Sequence, residues 1–100
     1  MNDSLTANPP SNPQVADLSF VTFRNGKCDM WTPERPADRA QAIEMGKDYA
    51  REMLVMIRET DNPLIFGAVI RTMTSNGLWG PVEMGFCSVL GIELLGAFSL

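Results

Sequence analysis

The stretch 37–60 constrains the fold most, because it contains no proline and only one glycine. At 100° per residue its apolar side chains form one stripe, which predicts a long amphipathic helix that starts at about Pro36. Gly46 lies within the stripe and weakens the helix, so we expect another backbone, such as that of a hairpin, to approach closely there. The stripe comprises Ala42, Ile43, Gly46, Tyr49, Ala50, Met53, Leu54 and Ile57.

The stretch 18–31 centres on Asn25-Gly26, the dipeptide most typical of a two-residue type I′ hairpin turn. That turn places the apolar pairs on one face of the hairpin, which we expect a helix to cover. The pair at the open end of the hairpin, Phe20 with Trp31, is predicted to pack under a helix. The alternative is an aromatic patch that binds a partner. The predicted pairs are Val21 with Met30, Phe23 with Cys28, Thr22 with Asp29, Arg24 with Lys27, and Phe20 with Trp31.

Two further helices follow from helix start and stop signals. Asn62-Pro63 is typical of a helix start and Asn76-Gly77 of a helix end, while Gly80-Pro81 opens a third helix. The predicted fold is therefore α+β: a hairpin over 18–31 and helices over about 36–60, 63–76 and 81–95, in one compact domain over 18–100. Residues 1–17 are rich in proline, asparagine and serine, which predicts a flexible tail or, alternatively, a segment that folds onto a partner.

The composition changes at residue 62, because residues 62–100 carry only Arg71, Glu83 and Glu93 as charged side chains. This half is core, interface or membrane. The two glutamates and the lack of flanking basic residues argue against a membrane span over 82–100. Arg71 is the expected partner of one glutamate in a structural ion pair, and the two carboxylates lack the supporting groups that acid–base catalysis needs.

Composition also excludes most catalytic chemistry. The chain has no histidine and two cysteines, Cys28 and Cys87, so it lacks common zinc spacings and the usual base for a nucleophile. We therefore expect no enzyme activity, no metal and no cofactor. Both cysteines are predicted to be reduced and buried, and the absence of a signal-like segment favours the cytoplasm. The net charge of −4 argues against direct nucleic-acid binding and favours a basic protein partner.

The outer face of the first helix carries a predicted acidic ridge, formed by Asp38, Gln41, Glu44, Asp48, Glu52 and Glu59 within about 120°. Pairs such as Glu44 with Lys47 and Asp48 with Arg51 neutralise part of it, and a simple solvated face is the alternative interpretation. Met45 and Met56 lie at the ridge margin, and Trp79 lies in a turn; each is an interface candidate or a core residue. The candidate partner-binding residues are Asp38, Glu44, Met45, Asp48, Glu52, Met56, Glu59 and Trp79.

Three segments carry a resemblance to small accessory proteins of phages and mobile elements: Ala50-Arg-Glu-Met-Leu54, Ile57-Arg-Glu-Thr-Asp-Asn-Pro63 and Gly80-Pro-Val-Glu-Met-Gly-Phe86. Over about residues 18–95 the chain resembles anti-CRISPR proteins that inhibit type I-F surveillance complexes. Those inhibitors share no common motif, fold or site, so no residue role transfers by position. The resemblance implies a non-enzymatic chain in a bacterial host cell that binds a CRISPR ribonucleoprotein complex and blocks target-DNA engagement.

Two functions are thus predicted from different classes. The first is a non-enzymatic protein-binding inhibitor that uses the acidic ridge. The alternative is a small regulatory or assembly module that self-associates, for example as a homodimer, through its apolar C-terminal half. The mass of the protein in solution distinguishes them, because the assembly module cannot be a monomer.

Overall fold

The computed structural model describes residues 14–98, with side chains over 14–96, and confirms the predicted α+β fold. A two-stranded antiparallel sheet precedes three helices. The strands are β1 (Thr22–Arg24) and β2 (Lys27–Asp29), and the helices are α1 (Arg39–Thr60), α2 (Leu64–Asn76) and α3 (Pro81–Phe98).

The predicted register is confirmed for the three pairs within the strands, whereas the predicted pairs Val21 with Met30 and Phe20 with Trp31 lie beyond the strand ends. Phe23 lies opposite Cys28, with the flanking pairs of β1 and β2 as predicted. Asn25 and Gly26 have φ angles of 54° and 72°, the two positive values that a type I′ turn requires. The turn dipeptide therefore sets both the bend and the facing pairs.

The burial of the hairpin differs from the prediction. Phe23 is 58% exposed and Cys28 is exposed, so the expected helix cover does not reach the apolar face near the tip. Phe20 and Trp31, at the open end, are buried as predicted. Each strand has only three residues, and only the open end of the hairpin lies against the helices. The residues near the tip therefore stay exposed.

Four aromatic rings form the centre of the core. Phe20 and Trp31 from the hairpin meet Tyr49 of α1 and Phe86 of α3, with the centroids of contacting rings 4.9–6.1 Å apart in tilted or edge-to-face arrangements. The aliphatic part of the core surrounds these rings and includes Ala50, Met53, Ile65, Val69, Met73, Val82 and Val89.

Helices α1 and α3 pack backbone to backbone. A Cβ atom at Gly46 would collide with the carbonyl oxygen of Val82, and one at Gly85 with the carbonyl oxygen of Ile43. The close approach predicted at Gly46 is confirmed, but the neighbour is α3 rather than the hairpin. Farther along, Leu54 and Leu90 line one groove, so the two helices run in the same direction and α2 makes the return.

At the starts of α1 and α2 a side-chain oxygen accepts a hydrogen bond from a backbone N–H. Asp38 precedes α1 and its carboxylate accepts a hydrogen bond from the backbone N–H of Ala40, so α1 begins later than residue 36. Asn62 accepts from the N–H of Leu64 at 3.1 Å, and Pro63 has a helical φ of −68° at the start of α2. Asp38 is thus occupied with the start of α1.

The predicted tail falls largely outside the described residues, since residues 1–13 are not among them. Of its remaining part, Val15–Asp17 form a turn of 3-10 helix, and half-buried Val15 packs against the core. The boundary predicted between residues 17 and 18 is therefore too late, because apolar burial begins by Val15.

Candidate partner-binding surface

The centre of the predicted acidic ridge is exposed. Glu44 and Asp48 lie one turn apart on α1, and both predicted pairs are present: Lys47 Nζ lies 3.2 Å from Glu44 Oε2, and Arg51 Nη1 lies 3.0 Å from Asp48 Oδ1. Such exposed pairs contribute little to folding and leave both carboxylates accessible to a partner.

Glu52 has a different role. Its carboxylate accepts hydrogen bonds from the backbone N–H of Ser19 at 3.1 Å and from the Ser19 hydroxyl at 2.8 Å. The side chain is half-buried. Glu52 therefore ties the segment before β1 to α1, in addition to contributing negative charge to the surface.

A shallow depression of about 520 Å³ lies on this face of α1. Asp48 and Glu52 supply its carboxylates, while Met45, Tyr49 and Val55 supply apolar surface. Together with Ser19 and Arg51 these residues define what we call the acidic depression. Carboxylates beside apolar surface suit a lysine or arginine side chain, which packs its aliphatic stem and pairs its charged end.

The structure brings together only part of the predicted ridge. Met45, Asp48 and Glu52 line the acidic depression, and Glu44 lies on the same face one turn before Asp48. Asp38 and Glu59 stand at opposite ends of the helix, about 30 Å apart at 1.5 Å per residue. One partner residue cannot contact both ends, so the ridge is not a single site.

Met56 was predicted as a surface candidate, and this is wrong. Its side chain is only 7% exposed and belongs to the core cluster with Met53. Half-buried Met45 also packs against the core, although one side of it reaches the acidic depression. The core surrounds α1 over a wider arc than its apolar stripe indicated, because α2 and α3 both pack on it.

Trp79 is 60% exposed in the loop between α2 and α3, beside exposed Leu78. The alternative interpretation of this residue as a core plug is therefore wrong. Trp79 does not line the acidic depression. It remains a separate interface candidate at the start of α3.

Glu83 lies at the centre of a buried polar network. Its cationic partner is Arg35 and not the predicted Arg71. The carboxylate is fully buried and accepts from the indole Nε1 of Trp31 at 2.8 Å and from the guanidinium of Arg35 at 2.6 and 3.0 Å. It also accepts from the backbone N–H of Gly80 at 3.0 Å. The cation therefore comes from the loop before α1, whereas the predicted Arg71 is exposed on α2.

A sequence signal for part of this network was present. Glu83 is the third residue of α3, where a glutamate commonly accepts from the N–H of the residue before the helix. Gly80-Pro81-Val82-Glu83 has that spacing. The signal predicts the contact with Gly80, but the contacts with Trp31 and Arg35 depend on tertiary packing.

The network keeps Glu83 ionised. Burial by itself raises the pKa of Glu83, but the hydrogen bonds from Arg35, Trp31 and the backbone outweigh it and lower the pKa to about 2. The hydrogen bond between Arg35 and Glu83 also raises the pKa of the Arg35 guanidinium. A carboxylate that is fully paired and charged near neutral pH is a structural group rather than a proton donor or acceptor, and Glu93 is exposed elsewhere on α3.

The two cysteines lie in different environments. Cys87 is half-buried, and burial, followed by the charge of Glu83, raises the pKa of its thiol. Cys28 is exposed on the hairpin, so its predicted burial is wrong. Both thiols are free.

Within residues 14–98, no three histidine, cysteine or acidic side chains come together as a metal-binding group. Over the same part of the chain, none of the helices combines the length and apolar character needed to cross a bilayer. The chain matches no protein-family model, no curated protein and no solved structure.

Proposed function

We propose that this protein is a non-enzymatic inhibitor that binds a basic protein surface through the acidic depression of α1. The observation that carries the proposal is the exposed carboxylate of Asp48 beside Met45, Tyr49 and Val55. Opposite charge steers the encounter and sets specificity, while apolar contact supplies much of the affinity.

The target class comes from the resemblance to type I-F anti-CRISPR proteins. A surveillance complex holds nucleic acid on lysine- and arginine-rich surfaces, and an acidic protein can occupy such a surface in place of a phosphate backbone. The net charge of −4 and the exposed pair Glu44 and Asp48 support this assignment. Inhibition then results from exclusion of target DNA and needs no catalytic group.

The test measures binding of labelled target DNA to a purified type I-F surveillance complex at increasing inhibitor concentrations. The variant E44K/D48K reverses two exposed charges and leaves the fold intact, because neither side chain is buried. Glu52 stays unchanged, since its loss would release Ser19. We expect wild-type protein to block DNA binding, and the variant to need at least a tenfold higher concentration.

The matched control is E34K/E59K, which makes the same charge change at two exposed positions outside the acidic depression. We expect it to inhibit nearly as well as the wild type. Equal losses in both variants would show that net charge, and not this surface, matters. Failure of the wild-type protein to block DNA binding would overturn the assigned target.

A second candidate function is a regulatory or assembly module that self-associates. It is supported by the large apolar side chains that α2 and α3 expose to solvent, including Leu64, Phe66 and Leu94. Single exposed apolar residues are ordinary, but a contiguous group is typical of an interaction surface. The mass in solution tests this candidate, because a strictly monomeric protein contradicts it.

A further inference from the structure

An apolar groove of about 220 Å³ lies where the three helices meet, beyond the aromatic core. Leu54 and Ile57 of α1, Phe66 of α2, and Leu90 and Leu94 of α3 provide nearly all of its surface, and Glu93 is the one ionisable residue that lines it. We call it the three-helix groove. Its walls belong to three elements, so the folded domain forms it.

Exposed apolar side chains continue from the groove in both directions. Phe66 also lines a depression that contains Leu64, and Leu54 also lines one that contains Val55. Leu94 is 58% exposed at the groove itself. The apolar surface therefore continues across α1, α2 and α3, and at Arg51 and Val55 it meets the edge of the acidic depression.

The rim of the groove carries both signs of charge. Arg51, Arg58 and Glu93 line the same depression beside Leu54, and Arg51 is already paired with Asp48. In the part of the chain that the structure describes, neither Arg58 nor Glu93 is in an ion pair. A strongly acidic or strongly basic partner would match only one of these charges. A second copy of the same surface, turned by a two-fold axis, matches both.

We propose that the three-helix groove is the interface of a two-fold homodimer. Leu94 of each copy enters the groove of the other, and Glu93 of each copy faces Arg58 of the other. This inference deepens the second candidate function and rests on it. The three-helix groove itself shares no lining residue with the acidic depression.

The available area agrees with a dimer. Val55, Leu64, Phe66 and Leu94 each expose on the order of 100 Å² of mainly apolar surface. A standard interface buries about 800 Å² per partner, of which a little over half is apolar. The four side chains, with the half-buried Leu54, Ile57 and Leu90, supply that apolar share.

The first test measures mass by sedimentation equilibrium over a range of protein concentrations. We expect the wild type to approach twice the 11.0 kDa mass of the chain. Leu94→Glu should weaken dimerisation at least tenfold, because it places like charges in both grooves. The matched control is Leu78→Glu, the same change at a residue that is 52% exposed in the loop before α3, and it should leave the dimer intact.

The second test uses charge reversal in separate copies. E93R alone and R58E alone should each weaken the dimer, since two like charges then face each other twice. An equimolar mixture of E93R and R58E proteins should form the heterodimer, because every facing pair is again of opposite charge. An ion pair between Glu93 and Arg58 of the same copy cannot produce this recovery, because mixing does not change which residues each copy carries.

The outcomes separate the interface from the function. A wild-type protein that stays monomeric at 100-fold dilution and at the highest soluble concentration overturns the inference and the second candidate function together. A wild-type dimer that Leu94→Glu does not weaken overturns this interface only. A mixture that does not recover overturns the facing of Glu93 and Arg58. Circular dichroism confirms that each variant is folded.

Discussion

Gly46 of α1 and Gly85 of α3 each lie against the main chain of the opposite helix, Gly46 against Val82 and Gly85 against Ile43. The two contacts lie one turn apart, and at both of them the main chains of the helices meet without a side chain between them. Neither glycine is required by its φ angle, since the positive-φ glycines are Gly26 and Gly77. Their role is to leave room for a backbone.

Alanine at either position should therefore separate the helices. We expect Gly46→Ala and Gly85→Ala each to lower the free energy of unfolding by about 3 kcal/mol, because a backbone cannot move aside as a side chain can. Gly67→Ala, at a helical glycine with open space around it, should be neutral or stabilising by up to about 1 kcal/mol. Urea unfolding measures all three, and equal stability of all three variants would contradict the close packing.

Acid should destabilise the protein through Glu83. Its pKa is lowered from 4.5 to about 2, so on acidification the unfolded chain binds a proton before the folded chain does. The stabilisation, on the order of 3 kcal/mol, is present above about pH 5 and is lost as the pH falls towards 2. We expect Glu83→Gln to lose this stability at neutral pH and to show a flatter dependence below pH 5.

Exposed Glu59→Gln is the control for that experiment and should keep the wild-type pH dependence. Thermal unfolding at intervals between pH 7 and pH 2 is the measurement. If Glu83→Gln and the wild type lose stability in parallel over that range, the ion pair with Arg35 does not control acid stability.

The turn of the hairpin should not tolerate a β-branched residue at Gly26. Valine at a φ of 72° is strained, and we expect Gly26→Val to cost about 1–2 kcal/mol. Lys27→Val, which puts the same side chain on the adjacent exposed strand position, should cost much less. Amide exchange of β1 and β2 reports the effect, and unchanged protection in Gly26→Val would argue against the type I′ turn.

Deletions at the amino end should distinguish residues 1–13 from residues 14–17. Because Val15 packs against the core, we expect deletion of 1–17 to lower the stability by about 1 kcal/mol relative to deletion of 1–13. Val15→Ser in the full chain should reproduce most of that loss. Identical melting temperatures for the two deletions would restore the predicted boundary at residue 17.

Local sequence signals predicted the helices and the hairpin well. The features that were missed depend on neighbours in the tertiary structure. Asn25-Gly26 fixed the hairpin register because a two-residue turn allows only one set of facing pairs. The exposure of Phe23 was not predictable from alternation, since it depends on where the helices lie relative to the tip. The partner of Glu83 was missed because Arg35 lies 48 residues away in a loop without periodicity.

The candidate surface shows the same division. The pairs of Glu44 with Lys47 and of Asp48 with Arg51 follow from helical spacing alone and were predicted. The hydrogen bond from Ser19 to Glu52 joins segments that are 33 residues apart in the sequence, and it was not predicted. Met56 was misplaced because the helical wheel gives the direction of a side chain but not how far the neighbouring helices extend around it.

The two tryptophans of the chain lie in opposite environments, and this makes them independent optical reporters. Trp31 is 2% exposed, with its indole N–H bonded to Glu83, whereas Trp79 is 60% exposed. Native fluorescence is therefore the sum of a blue-shifted component from Trp31 and a red-shifted component from Trp79. In a Trp79→Phe protein the remaining emission follows the core alone, and in the wild type the red-shifted component senses whatever approaches the start of α3.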